Sequence, residues 1–186
     1  SARTHVEALR TAGYRTGLIG KCHLQNMTDV PPTWSSSGNK ATYLTQVDSQ
    51  TRTGREYQQE SIARWSDPAH EVTLPYYGFE HVELCIEHGD QVGGDYARWL
   101  HRRGFNQAQL TGPGRAGAVD GRIAPQSWRT ALTEDDYPSA FVRDRTIAWM
   151  TSHAQSAIDQ PFYLPCSFPD PHHPFTPPGR WFDAYK

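Results

Sequence analysis

Twice in this chain a helical stretch turns into a strand-length apolar run whose far end is polar and carries histidine, and this repeated unit restricts the fold more than any other feature. The first unit runs from Thr4 to His23. Val6, Leu9 and Ala12 recur at three-residue spacing and Gly13 is placed to end a helix over Thr4 to Ala12. Arg15-Thr16-Gly17-Leu18-Ile19-Gly20 then has strand character and exits into Lys21-Cys22-His23-Leu24. The second unit starts at Ser139, read as an N-cap, and its helix reaches about His153 with Val142, Thr146, Trp149 and Met150 on the buried face. Across Asp159-Gln160-Pro161 it enters a strand from Phe162 to Phe168 and then the loop Asp170-Pro171-His172-His173-Pro174-Phe175. Helix, strand, polar exit is the rhythm of an α/β protein with a mostly parallel sheet, in which ligands gather beyond the carboxyl ends of the strands.

Between the two units the patterning thins. His81-Val82-Glu83-Leu84-Cys85-Ile86 alternates polar and apolar residues, which predicts a half-buried strand ending in the polar turn Glu87-His88-Gly89-Asp90. Asp95 to Arg103 reads as a helix with Tyr96, Trp99 and Leu100 on one face, and Gly104 ends it. From Gln25 to about Leu74 there is no sustained period, and a helix around Glu56 to Trp65 is the one element read there. Phe105 to Asp136, punctuated by Gly112-Pro113-Gly114 and Ala124-Pro125, reads as irregular. With 186 residues the chain has the length of one domain, and long loops of this kind in compact domains usually serve function.

Composition excludes several classes. The net charge is −2, and although Arg outnumbers Lys fifteen to three, no basic or acidic block marks a nucleic-acid or membrane surface. No apolar run is long enough for a membrane helix. Cys22, Cys85 and Cys166 are odd in number and widely spaced, so they form neither a disulfide framework nor a metal clip, and the compartment stays open. The opening Ser1-Ala2-Arg3-Thr4-His5 has no initiator Met and no signal-peptide core, and reads as an internal cut.

The chemistry-bearing residues sit at the strand exits. Lys21 and His23 alternate along the first, so both can project to one side and offer a fixed charge and a titratable donor to an anion. A phosphate loop at Gly20-Lys21 is excluded by the spacing of Gly13 and Gly17 and by Cys22, which stands where Ser or Thr must hold magnesium. His172 and His173 lie in a loop stiffened by prolines, where Asp170 is read as a turn or orienting residue. Adjacent histidines rarely ligate one ion, so no metal site is assigned. His81, Glu83, His88 and Asp90 form a further polar cluster at the middle strand, read as a solvated face or substrate contact. No nucleophile stands out, since there is no G-x-S-x-G elbow and no cysteine with an orienting His.

Taken together, the two exits resemble a known family. Gly13 to Leu24 is similar to the sulfatase signature G-Y-x-T-x-x-x-G-K-W-H-L, with Cys22 at the Trp position. Phe162 to Phe168 followed by Asp170-Pro171-His172-His173-Pro174-Phe175 resembles the later sulfatase strand that ends in P-H-x-P-F/Y, and Trp181, Asp183 and Tyr185 follow as in many bacterial members. The resemblance covers essentially the whole chain. It implies an alkaline-phosphatase-like α/β sandwich and a sulfuric ester hydrolase that uses a formylglycine nucleophile beside calcium. Carried over by position, Lys21 would contact the sulfate, and His23 would hydrogen-bond the formylglycine and help expel sulfate. His172 would bind sulfate and protonate the leaving oxygen, with His173 at the variable position. His173 and, from the cluster at the middle strand and not from the resemblance, His88 are secondary candidates.

The formylglycine motif C/S-x-P/A-x-R is absent, as are the aspartates and the later segments that would complete a calcium site. The expectation is therefore a central portion of one sulfatase catalytic domain, spanning residues 1–186 and inactive alone, whose partners are a small sulfate ester and the remainder of that domain. A phosphonate monoester or phosphodiester hydrolase of the same superfamily is the nearest alternative, and a non-catalytic anion-binding or assembly domain is the second. Pro165, which has no N–H for a ladder, places its strand at an edge or in a bulge.

Overall fold

The first strand, β1 (Arg15–Lys21), is the spine of the sheet because nothing on either of its faces needs water. Thr16 through Gly20 are all buried, Leu18 facing one apolar cluster and Ile19 the other. The computed structural model describes residues 3–25, 27, 54–114, 124, 126–156 and 159–184. On one side β1 pairs in parallel with β2 (His81–Ile86), in register from Gly17↔His81 to Lys21↔Cys85. Against β2 lies the short antiparallel β3 (Gly93–Gly94). The other side of β1 carries β4 (Phe162–Tyr163) and β5 (Cys166–Ser167), both parallel. The chain is thus α/β, with an open, mixed and mostly parallel sheet ordered β3-β2-β1-β4, β5 also pairing with β1.

Six helices complete the described residues: α1 (His5–Thr11), α2 (Ile62–Trp65), α3 (Asp95–Arg102), α4 (Gln107–Leu110), α5 (Pro138–Gln155) and α6 (Gly179–Asp183). A capping box starts α1, where Thr4 Oγ1 accepts from Glu7 N at 3.0 Å and Glu7 Oε2 accepts from Thr4 N at 2.7 Å. Val6 of α1 joins Leu18, Phe79, Leu84 and Ile86 on one face of the sheet. On the other face α3 and α5 bring Tyr96, Leu100, Phe141, Val142 and Trp149 onto Ile19 and Cys85. Two apolar layers enclosing the strands leave their polar ends as the natural place for chemistry.

Several expectations need correction. β2 is not half-buried at its carboxyl end: Leu84, Cys85 and Ile86 are all buried, because Leu84 and Ile86 face the α1 layer while Cys85 faces α3 and α5. The helix expected around Glu56 to Trp65 is a 3-10 turn (Arg55–Tyr57) followed by α2, interrupted where Gln59, Glu60 and Ser61 are buried. Much of the long excursion between them and β1, residues 28–53, lies outside the described residues, as does Tyr185. The connection before α5 includes α4 and a 3-10 turn (Glu134–Asp136), with 115–123 and 125 outside the description.

In α5 the N-cap is Tyr137, with Pro138 in the first turn, and Ser139 is instead turned to a loop carboxylate. Met150 is 46 % exposed, because the buried face is centred on Phe141, Val142 and Trp149, and Met150 lies about a third of a turn beyond it. The strand expected from Phe162 to Phe168 is split into β4 and β5, and Pro165, with no N–H for the ladder, lies between them at the side of β1, without a bulge. The register Arg15↔Phe162 before it continues as Ile19↔Cys166 after it, and Ile19 N donates to Pro165 O at 3.1 Å.

Candidate anion-binding site

Three strand exits converge. Lys21 ends β1 and His23 follows it; His88 follows β2; His172 and His173 lie on the loop after β5. The parallel register puts these exits at one end of the sheet, and two glycines bring the loops into contact. Gly20, at φ +109°, lies so close to β5 that a Cβ there would stand 1.9 Å from Ser167 O. Gly89, at φ +58°, approaches the histidine loop to within 2.7 Å of Pro174 O by the same measure.

The result is a stack of imidazoles beside an ammonium group. The His88 ring lies on that of His172, centroids 3.7 Å apart and 27° from parallel. His172 and His173 are 4.3 Å apart, His88 and His173 6.4 Å, and His88 and His23 6.5 Å. Lys21 Nζ donates to Glu87 O at 3.4 Å, next to His88. Lys21, His23 and His172, singled out in the sequence, are brought to one place together with the secondary candidates His88 and His173.

The histidine loop is held from beneath by buried polar groups. Asp170 accepts from Tyr137 Oη at 3.2 Å and from Ser139 Oγ at 2.8 Å, which makes it the orienting residue its Asp-Pro setting implied. Thr176 Oγ1 accepts from Asp90 N at 2.8 Å, and Tyr137 Oη lies 3.0 Å from the same atom. Asp90, fully buried, accepts through Oδ2 from Gly112 N, Trp128 Nε1 and Thr130 Oγ1 at 3.1, 3.0 and 2.9 Å. Phe175 N donates to Gln126 O at 2.8 Å, tying the loop to the same connection. The peptide bonds before Pro171 and Pro174 are both cis.

Electrostatically the cluster is short of negative charge. Burial pushes the His88 imidazole down to about 4, and Lys21, His172, His23 and His173 push it further the same way. Burial likewise lowers Lys21, opposed in part by Glu87 and Cys85. Among the described residues the one carboxylate in ion-pair contact with these groups is Glu87, whose Oε2 is 3.8 Å from His88 Nδ1. His88 Nε2 is buried with no hydrogen-bond partner. An anion placed here would relieve the mutual repulsion of five cationic or protonatable groups.

Proton positions can be assigned at His172. Its Nδ1 lies 2.6 Å from His173 O, a carbonyl that can only accept, so Nδ1 carries the hydrogen and Nε2 is the atom that gains or loses a proton. Other histidines are spent on structure: His70 meets Gln59 O, His153 meets Gln160 O, and His81 pairs with Glu83 at 2.9 Å. The polar cluster read at the middle strand therefore splits three ways. His81 and Glu83 join Arg145 of α5, His88 joins the stack, and Asp90 goes into the loop support.

Glu60 is the residue that sequence reasoning missed. Fully buried, its Oε1 accepts from Cys22 Sγ at 3.1 Å, Gln25 N at 2.9 Å and Tyr76 Oη at 2.6 Å, which fixes the chain on both sides of His23. Burial, aided by the Glu60 charge, pushes the Cys22 thiol far up and makes it inert as a nucleophile. Nothing in the local pattern signals Glu60, since its partners are distant in sequence. Among the described residues no group of His, Cys, Asp and Glu side chains is arranged to hold a metal, and none of the helices is long and apolar enough to cross a membrane. Comparison of the chain with protein-family models, curated proteins and solved structures finds no match.

Proposed function

We propose that the chain is a segment of a sulfatase-type hydrolase, built on an alkaline-phosphatase-like sandwich, that supplies part of the sulfate-binding shell and the acid for the leaving group. The observation that carries this reading is the meeting of Lys21, His23 and His172 with His88 and His173 at the carboxyl ends of β1, β2 and β5. A sulfuryl group spreads negative charge over its oxygens, and N–H donors already fixed in place stabilise that charge without reorganising; Lys21 and His88 are half-buried here, while His23, His172 and His173 stand exposed. Lys21 and His23 bind those oxygens. His172, whose Nδ1 is committed to His173 O, presents protonated Nε2 to the ester oxygen and gives up that proton as the alcohol leaves.

Calcium does not fit this cluster. It seeks six to eight oxygen ligands, whereas the groups gathered here are imidazoles and an ammonium, so no step runs through it. The formylglycine motif is likewise absent from the sequence, and the nucleophile is assigned to the remainder of the catalytic domain.

The test is a titration of the chain with inorganic sulfate, followed by the imidazole Cε1–H NMR signals. His23, His88 and His172 should shift together with one dissociation constant, and Lys21→Met should weaken it. These three imidazoles unmoved by sulfate would defeat the reading. Tighter binding of methylphosphonate than of sulfate would move the assignment to the phosphonate and phosphodiester hydrolases. In the enzyme carrying its nucleophile, His172→Ala should impair esters of poor leaving groups more than activated ones; equal losses would reject the acid role.

A further inference from the structure

Behind the histidine loop lies a cavity of about 950 Å³, walled by the first turn of α5, residues 168–178 and α6. Its size is that of a pocket for a small organic molecule. Phe168, Phe175 and Trp181 line it yet stay 46, 52 and 50 % exposed, and large apolar rings left uncovered around one concavity mark a binding surface. The lining includes none of Lys21, His23, His88, His172 and His173, so among the described residues this is a place apart from the imidazole cluster.

A polar stripe crosses the apolar wall. Asp170, Tyr137, Ser139 and Thr176 all line the cavity. Asp170 accepts through Oδ1 from Tyr137 Oη at 3.2 Å and through Oδ2 from Ser139 Oγ at 2.8 Å, while Tyr137 Oη lies 3.0 Å from Thr176 Oγ1. Each carboxylate oxygen thus receives one hydroxyl, although a carboxylate has about four acceptor positions in all, so each keeps room for a further donor.

The charge of Asp170 is unmatched as well. Carboxylates of the neighbouring elements are taken by guanidinium groups: Asp136 by Arg103 at 2.8 Å, Glu134 by Arg180 at 3.0 Å, Asp144 by Arg143 at 2.7 Å and Asp183 by Arg129 at 3.0 Å. Asp170 has no cation in contact among the described residues. Arg143, the one basic residue of the described lining, is shared between Asp144 and Asp135, the latter at 3.9 Å, so an anion finds no free positive group here. The rings accept positive charge as readily as apolar surface, since Arg180 already places its guanidinium 4.9 Å from the centroid of Trp181.

We infer that the cavity binds a primary arylalkylammonium compound, its aromatic body against Phe168, Phe175 and Trp181 and its ammonium group donating to Asp170. A primary amine is specified because the open positions on Asp170 call for N–H donors, which a quaternary ammonium lacks. The assignment does not rest on the sulfate reading.

Calorimetric titration of the chain at neutral pH with 1-naphthylmethylamine, its N,N,N-trimethyl derivative, 1-naphthylmethanol and 1-naphthoate tests it. The primary ammonium should bind about tenfold or more tightly than the trimethyl derivative and the alcohol, and the carboxylate most weakly. Asp170→Asn, which keeps the shape and one acceptor oxygen, should bring the amine down to the affinity of the alcohol and leave the alcohol unchanged. Trp181→Ala, at an exposed position, should weaken amine and alcohol alike by several-fold. An alcohol, carboxylate or trimethyl derivative that binds as tightly as the amine overturns the assignment, as does an amine advantage that survives Asp170→Asn. Inorganic sulfate titrated separately reports on the imidazole cluster, and its failure to bind would leave this site standing.

Discussion

Replacing His88 by Gln should remove an acid sensitivity that the fold builds into the anion site. In the folded chain burial, then Lys21, His172, His23 and His173, hold this imidazole at about 4, against an ordinary value of 6.5. The gap corresponds to about 3.5 kcal/mol at about 1.4 kcal/mol per pH unit, and solvent screening of a ring that keeps part of its surface in water trims this to about 2 kcal/mol. The sign follows from which state takes the proton. Above pH 6.5 His88 is neutral folded and unfolded, and contributes nothing. As pH falls from 6.5 to about 4 the unfolded chain binds a proton that the folded chain refuses, so stability is lost over that window; below it the loss is complete and constant.

Urea unfolding of wild type and His88→Gln between pH 7.5 and 3.5 reads the difference directly. The stability of wild type relative to the variant should fall by about 2 kcal/mol across the window. Sulfate should reverse the trend, since an anion against the ring favours its charged form, so binding should take up a proton and tighten as pH drops toward 5. A flat difference curve, or a His88 Cε1–H signal that titrates near 6.5 without sulfate, would refute the reasoning.

Other perturbations test the supports. Gly20→Ala places a methyl 1.9 Å from Ser167 O at φ +109°, so it should cost more than about 3 kcal/mol and loosen β5 from β1, seen as a lowered Tm and faster amide exchange at Ser167. Lys21→Met removes a charge that burial already disfavours, so the fold should hold or gain slightly while sulfate affinity falls about tenfold or more; an unchanged affinity would remove Lys21 from the site. Glu60→Ala strips the acceptor shared by Cys22, Gln25 and Tyr76, and should cost about 2–4 kcal/mol and expose the Cys22 thiol to a disulfide reagent; an unreactive Cys22 at unchanged stability would contradict the placement of Glu60.

The strands and their exits were legible because both signals are local. A run such as Leu18-Ile19-Gly20 ending in Lys21-Cys22-His23 says in a dozen residues that an apolar strand stops and polar groups begin, and β1, β2 and the histidine loop fall where that pattern puts them. Helix phase was less legible. Spacing puts Val142 and Trp149 on the buried face of α5, but it cannot say on which side of Trp149 the sheet lies and so admits the exposed Met150 as well. The contact that decides it, Arg145 on Glu83 at 2.6 Å, joins residues 62 apart.

The same limit explains why His88 was only a secondary candidate although it stands at the centre of the stack. Its claim rests on the 3.7 Å approach of His172, and that approach is produced by Gly20, Gly89 and Thr176, none of which carries chemistry. Two glycines without a Cβ let β5 and its loop close on the exits of β1 and β2, and the buried Asp90 then fixes the loop through Thr176. Charge is drawn together by backbone fit, at the expense of pushing the central imidazole toward neutrality. An anion would make such crowding favourable, and the pH response of His88 with and without sulfate tests whether one binds there.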